Sequence, residues 1–175
     1  MRLKKSEILK GVDDIQKSKF TVKNNTIEYW NSKGERIIRY CYTDIIRFLP
    51  KENKVILNSG DWQTYTTKER INAFLPPNYS ILQFCNTWIV QKRSHPITLW
   101  SFKDNMIIDL NNDTCDASLL QDVHPNLYLK IKGITKYNNP QEYMRIKKID
   151  PNSEEGKKIQ GQYLRRKIEE SINGG

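Results

Sequence analysis

Leu57-Asn58-Ser59-Gly60-Asp61-Trp62-Gln63-Thr64-Tyr65-Thr66-Thr67-Lys68-Glu69-Arg70-Ile71-Asn72 is the stretch in which an extended pattern gives way to a helical one. Residues 55–57 are apolar and β-prone, and Asn58-Ser59-Gly60-Asp61 reads as a turn in which Gly60 is free to take positive φ. Thr66-Thr67-Lys68-Glu69 matches a capping box, so a helix is expected from about residue 67 to 75, stopped by Pro76-Pro77. Ile71, Phe74 and Leu75 would then face a sheet.

Strand patterns lie on both sides. Residues 22–30 and 36–42 are β-rich and separated by Asn31-Ser32-Lys33-Gly34, a hairpin signal. Ile37-Ile38 and Ile45-Ile46 break strict alternation, which indicates a strand buried on both faces or bulged near Thr43-Asp44. A turn at residues 50–53 closes a second hairpin through residues 54–57. Beyond the helix, residues 79–85 and 88–92 form a hairpin about Asn86-Thr87, and residues 97–102 and 106–110 form another about Lys103-Asp104-Asn105. The pattern predicts an α+β fold: an antiparallel, β-rich domain built of hairpins with one central short helix, flanked by N-terminal and C-terminal helices.

The flanks are helical by periodicity. Ile8, Leu9, Val12 and Ile15 predict an amphipathic helix over residues 6–17, within an N-terminal segment 1–20. The β-rich domain is expected over residues 21–112 and a basic, mainly helical segment over 113–175. In that segment residues 117–120 read as a short helix, 128–134 as one more strand, and 141–148 as a helix started by Asn139-Pro140. Ser153-Glu154-Glu155 caps a helix running to about residue 172, with only a thin apolar stripe.

Composition narrows the function classes. Among 175 residues the net charge is +9, with 17 Lys/Arg against 9 Asp/Glu over residues 1–93, 1 against 5 over 94–129, and 11 against 6 over 130–175. A basic, acidic, basic chain favours polyanionic partners or acidic protein surfaces. No run approaches the ~18 apolar residues of a membrane span, and the first residues, MRLKK, lead into charged sequence. The expectation is a soluble protein of the host-cell cytoplasm or one associated with a virion, with no membrane partner.

No catalytic signature stands out. Cys41, Cys85 and Cys115 have no CxxC spacing, and no GxSxG, P-loop, Rossmann or HExxH pattern occurs. His95 and His124 each precede a proline and read as turn residues. Asp109, Asn111 and Asp113 have EF-hand-like spacing, but Thr114 stands where Gly is needed and Leu120 where a bidentate Glu belongs. No catalytic residue, metal site or cofactor is assigned. Cations interleaved with aromatics are the positive signal: Arg47, Trp62, Thr64, Lys68, Arg70, Asn72, Lys92 and Arg93 are the candidate contacts to nucleic acid. The alternatives are a virion-associated structural or protein-interaction component, docking a viral or host partner through its terminal helices, and an inhibitor of a host complex.

The run LNSGDWQTYTTKERIN, with YTDIIRF before it and YSILQ and WIV after it, resembles a family of small proteins from bacteriophage and phage-like genomes. Their pattern is approximately L-N-S-G-G-W-x-T-x-T-T-K-x-R-x-N, and the likeness covers about residues 40–92. Asp61 stands where that pattern has a second Gly, and Ile89 where it has Tyr. The resemblance implies a viral or mobile-element origin and brings no activity with it.

Overall fold

A computed structural model describes residues 2–12, the backbone of 15–17, and residues 24–173. By its internal contacts the chain forms two compact units, Met1–Ser118 and Leu119–Gly175.

The first unit starts with one helical turn, α1 (Lys5–Ile8), followed by an extended stretch, β1 (Ile15–Lys17). The predicted helix over residues 6–17 is therefore cut to its first turn; Gly11, at φ +79, is incompatible with its continuation. Residues 13, 14 and 18–23 of the predicted N-terminal elements lie outside the described residues. Ile8 nevertheless reaches the core, packing with Ile27, Tyr29 and Ile37, with Leu3, Leu9 and Val12 against that cluster.

The sheet continues as an antiparallel meander of β2 (Thr26–Asn31), β3 (Arg36–Tyr40), β4 (Thr43–Leu49) and β5 (Lys54–Leu57). Between Ile38↔Ile46 and Arg39↔Asp44 the register slips by one residue, leaving Ile45 as the extra one. This bulge is why Ile45 and Ile46 are both fully buried although adjacent. After β5 the chain enters the Gly60 turn and then α2 (Tyr65–Phe74). The helix begins two residues earlier than the capping-box reading because Thr64, not Thr66, is the N-cap: its side chain accepts from the Thr67 backbone N–H at 3.2 Å.

Next comes a separate three-stranded antiparallel sheet of β6 (Tyr79–Phe84), β7 (Thr87–Lys92) and β8 (Thr98–Ser101). The β6–β7 turn is Cys85-Asn86, both at positive φ as a type I′ turn requires, one residue earlier than expected. The expected hairpin about Lys103-Asp104-Asn105 does not form. β8 pairs with β7, whereas β9 (Met106–Asp109) crosses back to pair with β5, Leu57 opposite Met106 and Val55 opposite Ile108, all four buried. Burying that apolar pair set in the larger sheet outweighs the local hairpin. β10 (Thr114–Cys115) adds an edge, so the larger sheet runs β1-β2-β3-β4-β5-β9-β10. Helix α2 touches β3 and β4 of that sheet and β6 of the smaller one, with Ile71 fully buried.

The second unit holds α3 (Leu120–Val123), α4 (Pro125–Lys132), α5 (Pro140–Lys147) and α6 (Glu154–Asn173). Residues 128–134, expected as a strand, belong mostly to α4, opened by Pro125 and closed by Gly133 at φ +63. Asn139 caps α5 as expected, accepting from the Glu142 N–H. The Ser153 hydroxyl oxygen accepts from the Gly156 N–H at the start of α6.

Candidate nucleic-acid interface

The Gly60 turn is held by a set of side-chain hydrogen bonds. The Gly60 N–H donates to Asn58 Oδ1 at 2.8 Å, and Ser59 is buried. Asp104, from the connection between β8 and β9, brings its carboxylate to this turn. It accepts from the Ser59 backbone N–H, from the Ser59 hydroxyl at 2.9 Å and from the Asp61 N–H at 3.3 Å. Gly60 is at φ +62, and a Cβ there would meet Thr43 Oγ1 at 2.7 Å and Cγ2 at 2.8 Å. Asp61 also takes left-handed backbone, φ +63, the conformation a glycine adopts without cost.

Around this pinned turn three aromatic side chains stand out in water. Tyr42, in the two-residue turn between β3 and β4, is 60% exposed; Trp62 is 71% and Tyr65 69% exposed. Tyr42 and Trp62 border a cleft of about 350 Å³ whose walls include Tyr40, Thr43, Ser59, Thr64 and Thr67. Lys68 Nζ lies 5.2 Å from the Tyr65 ring centroid and 3.4 Å from Gln83 Oε1 on β6, beside the half-exposed Phe84 and Leu82. Arg70 lies where its charge acts on the Tyr40 hydroxyl, and its buried Nε has no hydrogen-bond partner.

The other predicted contacts sit elsewhere or already have a structural role. Thr64 is the cap of α2, and its hydroxyl lies 2.9 Å from that of Thr67. Asn72 clamps the β6 backbone, donating to the Ile81 carbonyl at 2.9 Å and accepting from the Ile81 N–H at 2.6 Å. Arg47 is on β4, ion-paired with Glu35 at 2.7 Å. Lys92 is buried and paired with Asp113 at 3.2 Å. Arg93 is exposed and bonds Ser80 at 3.4 Å, three residues along β6 from the Gln83 that Lys68 reaches, which is about 10 Å of strand. The structure thus gathers Trp62, Thr64, Lys68, Arg70 and Asn72 about α2 and leaves Arg47, Lys92 and Arg93 apart. Tyr40 and Tyr42 were missed by the sequence reading. Tyr42 could have been found, since it sits in a turn where a tyrosine has no core to enter.

Cysteine and acidic groups form no further centre. Burial pushes the Cys115 thiol up to about 11, which keeps it protonated and a poor nucleophile. Cys85 is exposed in the β6–β7 turn. Asp109 accepts from the Asn111 and Asn112 N–H groups, and Asp113 is occupied by Tyr79 and Lys92, so the acids of the EF-hand-like spacing are turn and tie residues. Among the described residues no group of three or more His, Cys, Asp or Glu side chains could hold a metal ion, and no helix is long and apolar enough to cross a membrane.

A family profile described as Kyanoviridae Gp96 protein matches residues 1–109, well over half of the chain. The chain belongs to this phage protein family. The matched region contains the Gly60 turn, α2 and both of the strands that flank the excursion, β5 and β9. Residues 110–175, including all of the helical unit, lie beyond the match. No curated protein and no solved structure matches the chain.

Proposed function

We propose that this phage protein is a non-enzymatic binder of single-stranded nucleic acid, acting in the cytoplasm of the infected cell. The contact surface is the aromatic cluster about the Gly60 turn, to which the LNSGDWQTYTTKERIN run supplies Trp62 and Tyr65 and the β3–β4 turn supplies Tyr42. The observation that carries the reading is the exposure of Tyr42 and Trp62 at one cleft and of Tyr65 on α2, with Lys68 beside the Tyr65 ring and Arg70 on the same helix. Bulky rings held out of the core by tight turns cost solvation unless something stacks on them. Bases do so without regard to sequence, while the cations meet the phosphates. The overall charge of +9 supplies the long-range attraction.

Trp62 gives the direct assay. It is the exposed one of four tryptophans, Trp88 and Trp100 being buried. Its fluorescence is expected to be quenched on titration with single-stranded oligonucleotides. Trp62→Ala is expected to weaken binding by about 1–3 kcal/mol for a lost stacking contact. Lys68→Ala and Arg70→Ala should each lower the salt dependence by about 0.7 in the slope of log K against log salt. Failure of the wild-type chain to retain any single-stranded DNA or RNA at low salt would rule the function out.

A further inference from the structure

Helix α6 changes character along its length. Its first half is docked: Gly156 and Ile159 are buried, and α5 packs against the helix. From Leu164 to Asn173 every residue is exposed. That is about 15 Å of helix at 1.5 Å per residue with no buried face, and a segment this short is marginal in water unless something covers it.

The exposed half is not uniformly polar. Leu164, Ile168 and Ile172 are 59%, 58% and 72% exposed and recur at intervals of four, which places them along one ridge of the helix. The charges around that ridge are unequal in status. Arg166 and Lys167 both pair with Glu170, at 2.8 and 3.1 Å. Arg165 and Glu169 flank the same side of the ridge at i and i+4, yet no ion pair joins them to any described residue. An arginine four residues before a glutamate is also the weaker order for pairing inside one helix.

We infer that this exposed half of α6 is a self-association surface, and that it pairs with α6 of a second copy in antiparallel orientation about a twofold axis at Ile168. Under that operation Ile168 meets its own counterpart and Leu164 meets Ile172. Arg165 comes within about 3 Å along the axis of Glu169 on the facing helix, twice, because a twofold antiparallel pair brings like flanks together. A parallel pair would bring opposite flanks together and set Lys167 between Arg165 and Glu169, a repulsive contact for each attractive one, where the antiparallel pair has only attractive ones. Ridges with a four-residue repeat pack at crossing angles near −50°, so the contact is centred on Ile168 and does not extend as a long coiled coil. Three side chains per copy bury well under the ~800 Å² per partner of a standard interface. The dimer therefore forms and dissociates with concentration.

Sedimentation equilibrium on the full chain over a range of concentrations tests this, with circular dichroism confirming that each variant keeps its helix content. The wild-type chain is expected to shift from monomer to dimer. Ile168→Asp should stay monomeric at every concentration. Arg165→Glu should weaken the dimer roughly tenfold, since two attractive rim pairs become repulsive. The double variant Arg165→Glu/Glu169→Arg should recover wild-type association, because the exchange restores both pairs. A wild-type chain that remains monomeric into the millimolar range overturns the inference and leaves the ridge to a different protein. Arg165→Glu dimers as tight as wild type, or a double variant no tighter than the single one, would also overturn it.

Discussion

At the residue scale, Gly60 and Thr43 form the contact on which the rest of the cleft depends. Two separate penalties meet at position 60, left-handed backbone and the nearness of the Thr43 side chain. Gly60→Ala is expected to destabilise the fold by about 1–2 kcal/mol from backbone conformation alone, with a further loss from the contact. Repeating the substitution in a Thr43→Ala background separates the two: urea unfolding should show part of the loss recovered, by an amount that reads the contact itself. Full recovery would mean that the backbone carries no strain at Gly60. The sequence marked Gly60 correctly because a glycine between Ser and Asp in a turn has a local reason to be there. Asp104 had no such signal. Its role depends on a carboxylate from 45 residues away reaching the Ser59 hydroxyl, and nothing in the local pattern of Lys103-Asp104-Asn105 distinguishes that tie from an ordinary hairpin turn.

At the level of elements, α2 owes its start to Thr64. Thr64→Ala removes the acceptor for the Thr67 N–H and the hydroxyl contact beside it, and a loss of about 1 kcal/mol in urea unfolding is expected. Thr66→Ala, at the position the capping-box pattern singles out, should be close to neutral. Comparable losses from both variants would show that the helix has two competing starts. Thr64 and Thr66 stand two residues apart and are indistinguishable by type, so the register of the cap was not legible. α4 shows the opposite case. Its Tyr-Leu-Lys-Ile-Lys run alternates like a strand, but Pro125 at its opening and Gly133 just past its end are the helix signals, and both were present in the sequence. The hairpins β2–β3, β4–β5 and β6–β7 were legible because each carries a local turn signal, whereas the β3–β4 turn at Cys41-Tyr42 has none and the two strands read as one bulged strand. The β5–β9 pairing was not, because strand alternation says which face is buried and not which neighbour is beside it.

Across the whole first unit, a short polar chain ties the smaller sheet to the loop before β10. The Tyr79 hydroxyl donates to Asp113 Oδ1 at 2.7 Å and Lys92 Nζ donates to Oδ2 at 3.2 Å, with Tyr79 and Lys92 both buried. The Tyr79 hydrogen bond, and after it the Lys92 ammonium, hold the Asp113 carboxyl below the usual carboxylate range. A carboxylate with a lowered folded pKa adds stability that is present above its unfolded pKa of ~3.9 and is lost as pH falls through the folded value. Asp113→Asn should therefore be less stable than wild type at neutral pH, and the gap should narrow on acidification below about pH 4. A gap that stays constant or widens in acid would show that Asp113 acts by shape and not by charge.

The crossing from β8 back to β9 has a consequence for how this protein can be rebuilt. The chain leaves the larger sheet at Leu57 and returns at Met106, directly opposite, so the two ends of the intervening segment sit one strand spacing apart, about 4.8 Å. Everything from the Gly60 turn through the smaller sheet hangs from that narrow gate. A foreign module whose own ends lie equally close would enter and leave at residues 57 and 106 without altering the order of strands on either side, provided that it also replaces the packing of α2 on β3 and β4.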